Sequence, residues 1–68
     1  MKDCVLFPAY GRKYKTPAQA EDDFNNGKDF KFQTNSGAYA GKPDLKKMGY
    51  TAVFIKMEEP GLYHKVTI

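Results

Sequence analysis

The chain has one cysteine, one histidine and no tryptophan among its 68 residues. A single thiol, Cys4, excludes an intramolecular disulfide and a cysteine-rich zinc site. A small domain without such staples fits the reducing cytosol better than a secreted scaffold. Long apolar runs are missing as well, and none approaches the roughly 20 residues of a membrane span. The opening stretch, Met1 to Pro8, is too short and too soon interrupted to read as a signal peptide. Charge of one sign is not in large excess: 11 Lys and Arg stand against 8 Asp and Glu, a net charge of +3. That falls short of the imbalance of a dedicated nucleic-acid protein. These absences set the expectation of a cytoplasmic protein with no membrane association.

Aromatic residues are plentiful. They make up 15% of the chain, five Phe and five Tyr, within an apolar share of 41%. Large rings bury the most area per residue and must supply much of the core. The composition is that of a globular chain, and residues 1–68 read as one domain. A domain of this size buries only about 60% of the surface its unfolded chain exposes, so its stability margin is thin.

Cys4-Val5-Leu6-Phe7 is a short continuous apolar run, which reads as a strand covered on both faces and ended by Pro8. Thr16-Pro17-Ala18-Gln19 is the clearest local signal. Thr16 is a good N-cap, Pro17 suits the first helical position, and Gln19 completes a capping box. The helix is expected over 17–26, with Gly27 as a left-handed residue closing it and Phe24 anchoring its apolar stripe. Asp29 to Gln33 alternates, which puts Phe30 and Phe32 on one side of a half-buried strand. A short second helix is expected at 43–48, closed by Gly49. Tyr50 to Met57 is the longest strand, with Val53, Ile55 and Met57 on one side. Glu58-Glu59-Pro60-Gly61 is a turn, and Leu62 to Ile68 returns as the partner strand of a hairpin. The fold class is therefore α+β: a sheet of three to four strands, largely antiparallel, with one helix on a face and a short second helix.

Catalytic residue types are few. Cys4 and His64 form a dyad only if the first and last strands are neighbours; a small core thiol and a histidine at the sheet margin explain them as well. Glu21, Asp22 and Asp23 are consecutive on a helix and do not face one another, so they make a solvated helix start rather than a metal site. Gly37 and Gly41 are separated by three residues and followed by Lys42-Pro43, which fails the phosphate-loop pattern. The expectation is a non-enzyme without cofactor or metal.

Binding has better candidates. Tyr10-Gly11-Arg12-Lys13-Tyr14-Lys15 joins three cations to two rings. Arg12, Lys13 and Lys15 suit phosphates, and Tyr10 or Tyr14 suits a base; the nearby acids of 21–23 would partly neutralise them. Tyr10, Tyr14 and Tyr39 fall in expected loops, Tyr50 at a strand start and Tyr63 on the polar side of the last strand. Tyr and Arg are enriched at protein interfaces, though in so small a domain rings capping the core edges explain them as well. The leading expectation is a domain that binds a protein through Tyr10, Arg12, Tyr14 and Tyr39. The alternative is a nucleic-acid module using the 10–15 loop. An edge strand at 62–68 offers a way to form a homodimer.

Tyr10-Gly11-Arg12-Lys13-Tyr14, then Asp23-Phe24-Asn25 and Gly27-Lys28-Asp29-Phe30, resemble a group of small phage-encoded accessory proteins of mostly unassigned function. The Gly37 to Lys42 loop and the final strands are similar in outline, whereas the tail beyond Lys56 lacks the group's arginine and tyrosine character. The resemblance implies an accessory protein in the cytoplasm of an infected bacterium, binding a host component. It carries over no catalytic residue.

Overall fold

Each central strand puts alternate side chains on opposite sides of one sheet, and only one of those sides receives the helices. The computed structural model describes residues 3–68, the side chain of Asp29 excepted. Its strands are β1 (Asp3–Pro8), β2 (Phe32–Thr34), β3 (Ala52–Lys56) and β4 (Tyr63–Thr67). Its helices are α1 (Pro17–Asn26) and α2 (Lys42–Lys47), with 3-10 turns at Ala9–Gly11 and Asp29–Lys31. The strand order is β2-β1-β3-β4. Both outer pairings are antiparallel, while β1 and β3 run parallel at the centre. A parallel pair needs a long crossover, and α1, β2 and α2 together supply it. The fold is α+β, and β4 lies at an edge, as a strand able to pair with a second copy must.

Local chemistry accounts for the elements. The Thr16 hydroxyl accepts the Gln19 N–H at 3.3 Å, and Pro17 opens α1. The turn after β3 closes with the Leu62 N–H donating to the Glu59 carbonyl at 3.1 Å, and Gly61 takes a φ of 81°. Cys4, Leu6, Val53, Ile55, Met57 and Val66 point to one side and are buried there with Ala20 and Phe24 of α1 and Leu45 of α2. Phe32 meets Phe24 edge-on, with ring centroids 5.9 Å apart.

Three local expectations are corrected. Residues 29–31 form a 3-10 turn and the strand starts only at Phe32; Phe32 is buried, whereas Phe30 is exposed. Gly27 is extended, with φ of −81°, so it is not a left-handed cap. Its requirement is space, because a Cβ there would overlap the Asp23 carbonyl oxygen. Finally, β1 is not covered on both faces: Cys4 and Leu6 are buried, but Val5 and Phe7 are only half-buried.

Candidate binding site

The second side of the sheet has no helix over it among the described residues. It presents Val5 and Phe7 from β1, Phe54 and Lys56 from β3, and Tyr63 and Lys65 from β4. The register sets Val5 beside Phe54, Phe54 beside Lys65 and Lys56 beside Tyr63. Its half-buried Phe rings lie beneath lysine side chains. The Lys56 ammonium sits 5.7 Å from the Phe7 ring centroid and the Lys65 ammonium 6.0 Å from that of Phe54. Both distances are within the range of a cation–π attraction.

At the end of this face, where β1 meets the β3–β4 hairpin, lies an open cleft of about 450 Å³. Phe7, Arg12, Lys13, Lys56 and Tyr63 line it, with Glu58 as the single acid. Tyr14 explains how the loop cations come to be here. It is only 7% exposed, and its ring stacks on Phe32 with centroids 5.8 Å apart. Its hydroxyl donates to Asp23, and its carbonyl accepts the Glu58 N–H at 2.9 Å. The loop is thus tied to the core and to the hairpin, with Arg12 and Lys13 held at the cleft. Tyr14 is a pin rather than an exposed anchor. Lys15 is exposed and does not line the cleft.

The pin has its own electrostatics. Burial, then the Asp23 hydrogen bond and charge, push the Tyr14 hydroxyl well above its ordinary pKa, against a smaller opposing pull from Arg12. Burial also acts to raise the Asp23 carboxyl. Hydrogen bonds from Lys31 and Tyr14 and the charges of Lys31 and Arg12 outweigh it, and the net shift is downward. Lys31 approaches Asp23 at 2.6 Å, and Glu21 meets His64 at 2.9 Å. These acids of α1 are therefore committed mainly to partners other than the cleft cations, although the Arg12 field reaches Asp23.

No protein-family model, curated protein or solved structure matches the chain.

Tyr10 and Tyr39 form the second aromatic feature. Their rings stack with centroids 6.0 Å apart and planes 15° apart, at 75% and 45% exposure. A hydrogen bond with Tyr10 raises the Tyr39 pKa. Tyr10 is the one described non-glycine residue in left-handed backbone, with φ of 58°. Tyr39 bridges Gln33, which pairs with Phe7. Bridged residues share a side of the sheet, so Tyr39 and Phe7 face the same way.

The catalytic alternatives receive no geometric support. β3 lies between β1 and β4, which keeps Cys4 and His64 apart, and His64 is bonded to Glu21. The described residues contain no group of three or more His, Cys, Asp or Glu side chains able to hold a metal ion. No described helix is long and apolar enough to cross a membrane. Sequence reasoning found Tyr63 as an exposed ring but missed Phe7, Lys56, Phe54 and Lys65 as site residues. The one available signal was alternation: Phe54 and Lys56 share parity opposite Val53 and Ile55.

Proposed function

We propose that this chain is a non-enzymatic binding module for single-stranded nucleic acid, with the uncovered sheet face as its contact surface. The observation that carries the reading is that Arg12, Lys13 and Lys56 line one cleft with the rings of Phe7 and Tyr63. Cations track a phosphate backbone, and rings offer stacking surfaces to any base. A modest net charge suffices when the positive groups gather on one face and most of α1's acids are committed elsewhere. On the phage resemblance, the proposal extends to the cytoplasm of an infected bacterium.

Fluorescence anisotropy with a labelled oligothymidylate, titrated at several salt concentrations, tests it. Each phosphate contact on a single strand contributes a slope of about −0.7 in log K against log salt, so three cations give about −2. Lys56→Gln should reduce that slope by about 0.7. Affinity indifferent to salt and to Lys56→Gln would defeat the proposal.

A second reading, binding of a host protein, is favoured by the Tyr10–Tyr39 pair, an aromatic surface displayed in water at a cost in backbone strain. It would use Tyr10, Arg12 and Tyr39, without Tyr14. Capture of one defined bacterial protein after nuclease treatment, lost on Tyr10→Ala, would support it. Capture unchanged in that variant would count against it.

A further inference from the structure

The strand pairings order the exposed face into a row. Tyr39 is bridged to Gln33, Gln33 pairs with Phe7, and Lys56 pairs with Tyr63. The parallel register, Leu6 with Ile55, extended by one residue, brings Phe7 beside Lys56, whose ammonium stands over that ring. The row therefore reads Tyr39, Gln33, Phe7, Lys56, Tyr63, crossing the strands instead of following one. At an interstrand spacing of about 4.8 Å, its four steps span roughly 19 Å. Rings stand at both ends and in the middle, and Tyr10 thickens the Tyr39 end.

We infer that a single strand of about four nucleotides lies across the sheet along this row, with the Tyr10–Tyr39 stack as the stacking station at the end opposite the cleft. This rests on the nucleic-acid reading above and adds to it a path and a length. The row alternates rings with side chains that donate hydrogen bonds: the Gln33 amide, which donates one N–H to the Gly37 carbonyl at 3.2 Å and has a second, and the Lys56 ammonium. The rings offer stacking surfaces to bases and the donors offer hydrogen bonds to phosphate oxygens, and Arg12 and Lys13 supply further positive charge at the cleft end. Four nucleotides is at the low end of site sizes for small single-strand-binding folds. The left-handed backbone of Tyr10 fits this role, because strain of that kind persists where surrounding structure holds a residue for use.

Oligothymidylates of two to eight nucleotides, labelled with fluorescein and followed by anisotropy at low salt, test the inference. Affinity should rise up to about four nucleotides and then level off. The double variant Tyr10→Gly/Tyr39→Ala should lose about tenfold in affinity for oligomers of four or more and leave the dinucleotide unchanged. Glycine accepts the left-handed backbone at position 10, and circular dichroism checks that the variant is folded. Equal losses at every length, or none, would overturn the path while salt-dependent binding at Lys56 still stood; the tyrosine pair would then belong to the protein-binding reading. If no oligomer binds, the path and the nucleic-acid reading fall together.

Discussion

The two sides of this sheet are built from the same strands and present opposite surfaces. On one, Leu6, Val53 and Ile55 are fully buried beneath α1 and α2. On the other, Val5, Phe7 and Phe54 are half-buried, and the groups over the rings are lysine ammoniums. A lysine stem can shelter apolar surface while its head stays in water. It is also a cover that an anionic ligand can engage without unfolding anything. Under the proposed function, stability resides on the helix side and binding on the lysine side, and substitutions can test that division.

The largest effect should come from the core. Phe32→Ala removes a ring that touches both Tyr14 and Phe24 and should cost about 3–5 kcal/mol. A small domain has a total stability of roughly 5 kcal/mol, so this variant should keep at most about 2 kcal/mol and be only marginally folded in water. Phe7→Ala removes a ring of the same size from the other side and should cost about 1 kcal/mol. Urea denaturation followed by circular dichroism compares them. Equal costs would mean that the lysine side is core as well, and the division would fail.

A middle-sized effect belongs to the pin that couples the two sides. Tyr14→Phe keeps the ring and loses a hydrogen bond to an ionised carboxylate, a change worth about 1.5–3 kcal/mol. Its pH dependence has a definite sign. The Asp23 pKa is lower folded than unfolded. Its contribution is therefore present above the unfolded value of about 3.9 and is lost as pH falls through the folded one. The Tyr14 pKa is raised, so that contribution is complete below about pH 10 and is lost as pH rises beyond it. Urea midpoints measured across pH should show both limbs in the parent. In Tyr14→Phe the alkaline limb of this residue should vanish and the acid limb should flatten.

The division into sides was only partly legible in the sequence, and the pattern of success has physical reasons. Signals confined to a few neighbouring residues read well. The Thr16–Gln19 cap located α1 at 17–26, and the alternation of Val53, Ile55 and Met57 oriented β3. What failed depended on distant partners. A run such as Cys4 to Phe7 looks the same whether helices cover one side or both. The parallel pairing of β1 with β3 bridges most of the chain, and only that pairing brings Phe7 to Lys56. Tyr14 sits in a basic loop that reads as solvated, and its burial depends on Asp23 and Phe32. Phe30 alternates with Phe32 in sequence, yet a 3-10 turn breaks the period between them.

The smallest effect is also a test of sign. Tyr10 is exposed in left-handed backbone, which costs a non-glycine residue roughly 1–2 kcal/mol. Tyr10→Gly removes that strain. Against it stand the extra entropy of an unfolded glycine, about 0.5–1 kcal/mol, and the lost ring stack with Tyr39, about 0.5 kcal/mol at an exposed position. The terms nearly cancel, and the variant should remain within about 0.5 kcal/mol of the parent. Tyr10→Ala also loses the stack but keeps most of the strain, so it should be the less stable of the two. A residue kept for stability would give the reverse order, with glycine the worse replacement. Urea midpoints for the parent and both variants decide it. A glycine variant as stable as the parent but weaker toward long oligonucleotides would show Tyr10 held in strain for contact, on the side of the sheet that contributes least to folding.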